Sequence, residues 1–212
     1  MKKINVIIIS FLIFFNNNSF SNLYTQINNN IVVKIGELLV TSIDIENQII
    51  TNLIINKQEI TQENIDKNKN FAVKTLINKS IKLGEINKYQ IKDYNKKDLQ
   101  DYSKNIAKNL NANENSLRQI FKQYNIDYDS FLKNYEIELL WNTLIFQLYK
   151  NQINVNILEV ENEVEKISKN KNLEELKIIK ENILSQKKKD KLNLFSRSHF
   201  TNLENTVSIN FQ

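Results

Sequence analysis

Residues 31–49 read IVVKIGELLVTSIDIENQI: two short apolar runs rich in β-branched side chains, hinged at Gly36 and followed at once by a helix-start signal. The alternation of Ile31, Val33 and Ile35 marks one buried face of a strand, and Leu38, Leu39 and Val40 supply the return strand. Thr41 with Asp44 three residues on matches a capping box, so a helix is predicted from near Ser42 to about Asn56. A two-stranded hairpin is only marginally stable in water, so this one needs a third partner. The tail 206–211, TVSINF, supplies it: Val207, Ile209 and Phe211 alternate and show no helical period. The two ends of the chain are therefore predicted to close a small three-stranded sheet over a helical body.

The rest of the chain reads as helices. Two glycines and no proline in 212 residues exclude a fold built from many short strands, which needs frequent turn residues. Thr61 with Glu63 and Asn64 opens a long helix whose apolar positions Phe71, Val73, Leu76, Ile77, Ile81 and Leu83 cover more than one stripe, as in a helix packed on several sides. Helices are also expected after Asn95, near Asn113 and after Asn156, and a last one from about Leu173 to Lys191. The longest apolar helix follows Asn125; there Ile137, Trp141, Leu144 and Leu148 fall at i, i+4, i+7 and i+11, along one face. The fold class expected is mainly α, with residues 22–212 forming one domain that the C-terminal helix and strand complete. No internal repeat or low-complexity linker interrupts it.

Residues 1–21, MKKINVIIISFLIFFNNNSFS, carry a basic start, an apolar run and small residues at Ser19 and Ser21, the pattern of a cleaved secretory signal. The apolar run stops short of the ~20 residues that span a bilayer, so stable membrane insertion is not expected. Removing this segment takes away Lys2 and Lys3 and leaves +3 of the +5 formal charge. Only Arg118 and Arg197 are arginines, and the lysines are dispersed, which argues against nucleic acid as a partner. The one dense run, QKKKDK at 186–191, reads as a solvated helix end where positive charge suits the helix dipole. With no cysteine in the chain there is neither a disulfide framework nor a lipoprotein anchor.

Little in the sequence points to chemistry. His199 is the single histidine, so no His/Cys zinc framework can be assembled from one chain. Ser196 and Ser198 beside it lack a G-x-S-x-G elbow. DKNKNF at 66–71 opens like a calcium loop but places Phe71 where glycine is required and Ile77 where the bidentate glutamate belongs. Glu159 with Glu163 and Glu161 with Glu165 form i, i+4 carboxylate pairs, read as a solvent face. No nucleotide motif is present, and no cofactor is expected. The aromatic group Tyr124, Tyr128, Phe131, Tyr135 and Trp141 has two readings. Trp141 reads as core; for the tyrosines a core and a wet contact surface are both open, since flat amphipathic rings suit the capture of varied apolar segments.

The order of these elements carries a resemblance. The hairpin at 31–49, the helical segment VKTLINKSIKLGEINKYQI, the connection IDYDSFLKN and the segment NYEIELLWNTLI together resemble the N-terminal domain of the SurA family of periplasmic chaperones, over residues 30–169. The family also completes that domain with the last segment of its chain. The resemblance implies a trigger factor/SurA peptide-binding-like domain in the periplasm, acting without ATP as a holdase for unfolded outer-membrane proteins or other exported polypeptides. Tyr124, Tyr128, Phe131 and Tyr135 are then the candidate peptide-contact residues. The sequence departs from the family where parvulin domains stand: only SKNKN at 168–172 occupies that place, and a parvulin site uses a histidine-containing cluster. A peptidyl-prolyl isomerase and a dedicated periplasmic assembly subunit are the alternative readings, and the residues favour a non-enzyme.

Overall fold

The computed structural model describes residues 29–168 and 171–212; the signal segment expected at 1–21 lies outside the described residues. Strands β1 (Ile31–Ile35) and β2 (Leu38–Thr41) pair antiparallel across a two-residue turn. Gly36 has φ +55° there and Glu37 does not share the positive φ, the pattern of a II′ turn with glycine first. Strand β3 (Ile209–Phe211) adds antiparallel to the other edge of β1, giving the order β2-β1-β3. The two ends of the chain close the sheet as the alternation predicted. One detail differs. The register slips between Ile31 and Val33, a bulge at Val32, so Val33 and Ile35 are buried while Ile31 turns out to solvent.

Seven α-helices follow among the described residues, each starting where a side chain caps it: α1 (Ser42–Ile55), α2 (Gln62–Lys88), α3 (Lys96–Asn109), α4 (Glu114–Gln123), α5 (Tyr128–Tyr149), α6 (Ile157–Lys166) and α7 (Leu173–Glu204). Thr41 and Asp44 form the reciprocal capping box on α1, and Thr61, Asn95, Asn113, Asp127, Asn156 and Asn172 each accept an N-terminal amide. At the other ends the shortage of glycine shows. Lys57, Gln90, Asn111 and Asn125 take positive φ just past α1 to α4, and each helix closes with a paired 6→1 and 5→2 bond such as Gln58 N–H to Leu53 O and Lys57 N–H to Ile54 O.

The core is continuous from the sheet into the helices. Val33, Ile35 and Val40 pack on Ile81 of α2, with Phe200, Leu203, Val207 and Ile209 from the end of the chain laid against them. Ile50 and Ile54 of α1 meet Ala107, Leu117, Phe121, Ile126, Tyr128 and Phe131 at the far end. Trp141, Leu144 and Ile145 of α5 pack on Ile86 of α2 and are covered by Leu192, Phe200 and Leu203 of α7. The sequence reading ended this last helix near Lys191, on the strength of the lysine run. It continues thirteen residues further, to Glu204, because Leu192, Phe195, His199, Phe200 and Leu203 keep a helical period that lands on α2 and α5.

Candidate functional site

The predicted contact residues are brought together, but mostly inward. Asp127 caps α5 and starts it at Tyr128, so Phe131 and Tyr135 follow one and two turns on. Phe121 from α4 lies 4.7 Å from Phe131 between ring centroids and meets Tyr128 edge-on at 6.0 Å. The Tyr128 hydroxyl is hydrogen-bonded to Ser103 at 2.6 Å, and the Arg118 guanidinium covers its ring at 4.2 Å. Tyr128 and Phe131 are therefore buried, which for Tyr128 is the core side of the two readings: the connection 124–127 turns so tightly that the first turn of α5 faces α3 and α4. Tyr124, at the C-cap of α4, is 44% exposed. Tyr135 is half-buried and stacks flat on Tyr102, 3.6 Å apart and 5° from parallel. Burial, and then Tyr135, push the Tyr102 phenol up to about 12. Trp141 is core, as its face of the helix required.

Beside this stack lies a cleft of about 200 Å³ bordered by α1, α2, α3 and α5. Its lining combines Tyr102 and Tyr135 with Gln48, Asn52, Lys79 and Glu138. Lys79 donates to Gln48 Oε1 at 2.7 Å, and Gln48 Nε2 donates to Asn52 Oδ1 at 2.8 Å. The relay ends there. Asn52 Nδ2 is one of two buried side-chain polar atoms without a hydrogen-bond partner among the described residues, the other being Asn78 Oδ1. Such an orphan costs about 1–3 kcal/mol. Glu138 belongs to Lys82, 2.5 Å away, and leaves Lys79 without an ion pair among the described residues. Burial lowers the Lys79 ammonium to about 8, against the opposing pull of Glu138 and with help from Lys82. Tyr135 was a sequence candidate, but Gln48, Asn52 and Lys79 did not stand out, since Gln, Asn and Lys are abundant throughout the chain.

A second surface is apolar and open. Helix α7 buries no residue and α6 buries only Val160, yet between them they expose Ile157, Leu158 (70%), Leu173 (88%), Ile178 and Leu194. Ion pairs bridge the two helices beside the fully buried Val160. Lys187 bonds both Glu159 at 2.8 Å and Glu163 at 2.7 Å, and Lys180 bonds Glu161 at 3.0 Å. Lys187 holds the Glu159 carboxyl below the usual range. The lysine run is thus mid-helix and partly an ion-pair partner, which corrects its reading as a helix end; Glu159, Glu161 and Glu163 reach α7 from a face that is still open to solvent, as read from the sequence.

His199 is placed by the extension of α7. Its Nδ1 is 2.9 Å from the Tyr149 hydroxyl and its Nε2 is 3.3 Å from Glu85, a buried carboxylate that Lys88 also reaches at 3.2 Å. The acceptor-only carboxylate sets Nε2 as donor and leaves Nδ1 to accept from Tyr149. Ser196 accepts from Trp141 Nε1 at 2.8 Å, and Ser198 is exposed, so these serines do not form a nucleophile–base pair with His199. The cluster ties α7 to α2 and α5. The segment 66–71 runs inside the first turns of α2, with Phe71 exposed. Among the described residues no group of side chains could hold a metal ion, and no helix is long and apolar enough to cross a membrane.

No protein-family model matches the chain, and no curated protein matches it. Solved structures that resemble the chain include one of a SurA-like chaperone. It comes from work on the virulence factor PEB4 and the periplasmic protein Cj1289, two structurally related SurA-like chaperones in the human pathogen Campylobacter jejuni. The TM-score is 0.43 and the identity 15%, over 87% of this chain and 99% of that one. A similarity of this size leaves the function to be argued from the residues themselves.

Proposed function

We propose that this chain is a periplasmic, ATP-independent holdase for unfolded exported polypeptides, outer-membrane proteins among them. The observation that carries the reading is the α6–α7 pair: five large apolar side chains stand in solvent on two helices bridged by ion pairs. Spread along the two helices, these residues offer separate apolar contact points to an extended partner. Strands of membrane barrels alternate apolar and polar residues and present a weak signal per segment, so many shallow apolar contacts suit them better than one deep pocket. Tyr124, exposed at the end of α4, adds an aromatic contact point on the body. The basic, apolar opening of the sequence at 1–21 supports export.

The test is binding of the purified chain to an unfolded outer-membrane barrel protein and to an unrelated unfolded soluble protein, with aggregation followed by light scattering. Micromolar binding and suppressed aggregation of the barrel client, weaker for the control, is the expected result. Failure to suppress aggregation at stoichiometric ratios overturns it, and one stoichiometric partner in a native pull-down would assign the surface to an assembly role instead.

A further inference from the structure

We propose that the cleft bordered by α1, α2, α3 and α5 is a binding site for a carboxylate, held by the Lys79 ammonium and the Asn52 side-chain amide beside the Tyr102–Tyr135 stack. The lining has donors in surplus. Lys79 carries three N–H donors and gives one to Gln48 Oε1; Asn52 Nδ2 carries two and gives none. The lining carboxylate, Glu138, is already matched by Lys82. What Lys79 and Asn52 lack is a negatively charged acceptor of their own, and a carboxylate supplies two oxygens for these donors in a charge-assisted geometry. A cation would meet Lys79, and a neutral amide would leave that charge unmatched.

Size narrows the ligand. A space of about 200 Å³ holds several waters but is smaller than the ~300–1,000 Å³ of sites that enclose a whole small molecule. It fits a carboxylate on a short stem: the C-terminal end of a polypeptide, an aspartate or glutamate side chain, or a small free acid. The flat face of Tyr135 at the rim offers apolar contact to the residue carrying it. This site stands apart from the α6–α7 surface, so a chain that holds clients yet ignores carboxylates overturns this proposal and leaves the chaperone reading intact.

The test is a titration of the isotope-labelled chain, watching the side-chain amide signals of Asn52 and Gln48. The probes are acetate, an N-acetylated tripeptide with a free C-terminus, its C-terminal amide, and that amide carrying one glutamate. Saturable shifts are expected with acetate and with at least one of the two carboxylate-bearing peptides, and none with the plain amide. The stronger of those two peptides identifies the source. Lys79→Met should weaken binding at least tenfold. Asn52→Asp, which places a carboxylate in the cleft itself, should abolish it while Lys79 remains. Equal binding of acid and plain amide, unchanged binding by Lys79→Met or Asn52→Asp, or no saturable shift with any probe overturns the proposal.

Discussion

Helix α1 hides six of its fourteen residues, whereas the thirty-two residues of α7 hide none and α6 hides only Val160. The body α1–α5 is held by apolar contact around Leu53, Leu117, Phe121 and Leu144, all fully buried; the α6–α7 pair fully buries only Val160 and is bridged by Lys180 and Lys187 reaching across to three glutamates. Surface ion pairs of this kind contribute little stability and weaken with salt. The contrast is one of exposure: apolar side chains packed inside the body cannot meet a partner, and the exposed ones of α6–α7 can.

The sharpest way to break this comparison is to cut into the body. Phe121→Ala removes a ring that touches both Tyr128 and Phe131 from a site with no exposure, and should cost about 3–5 kcal/mol. Urea unfolding reads it directly; a loss near zero would mean that the far end of the body is not a packed core. Leu173→Ser combined with Ile178→Ser tests the other side. Both residues stand in solvent, so the unfolding free energy should stay within about 0.5 kcal/mol of the parent while affinity for a barrel client falls about tenfold. A large loss of stability with unchanged client affinity would reverse the roles assigned to the two regions.

Lys79 is the place where the body departs from apolar packing. Its ammonium sits near 8 instead of the ordinary 10.5, chiefly from burial, so between those values the folded chain binds fewer protons than the unfolded one. Stability therefore rises as pH climbs from about 8 to about 10.5, and the full penalty is present below 8. Lys79→Met should stabilise the chain by about 1–2 kcal/mol at pH 7, allowing for partial solvent screening, and should flatten that rise. Melting temperatures of both chains across this pH range provide the check.

How much of this was legible in the sequence depended on range. The hairpin, the capping residues and the third strand were readable because alternation and the Thr41–Asp44 spacing are local. The bulge at Val32 was not, since nothing in IVVKI distinguishes a slipped register from a regular one. Tyr128 and Phe131 were visible as a cluster, but which way they face is decided by α3 and α4, whose Ser103 and Phe121 lie 25 and 10 residues before Tyr128 and Phe131 respectively. The cleft was invisible for the same reason. Lys79, Gln48 and Asn52 are ordinary residues until α1 and α2 lie side by side, and the His199–Glu85 contact spans 114 residues.

The smallest effect sharpens the comparison at the helix ends. Helices α1 to α4 close with Lys57, Gln90, Asn111 and Asn125 at positive φ, while α5 and α7 have right-handed C-caps at Lys150 and Asn205. A side chain in the left-handed region costs roughly 1 kcal/mol, less for asparagine, and glycine avoids it. Gln90→Gly should therefore raise stability by up to about 1 kcal/mol, Asn125→Gly by less, and Asn205→Gly should lower it slightly, because there glycine adds only freedom to the unfolded chain. Thermal unfolding of the three variants orders them. If Gln90→Gly destabilised the chain as Asn205→Gly does, the backbone at the end of α2 would not be in the left-handed turn that lets Ile91 N–H reach Ile86 O and carry the chain on toward α3.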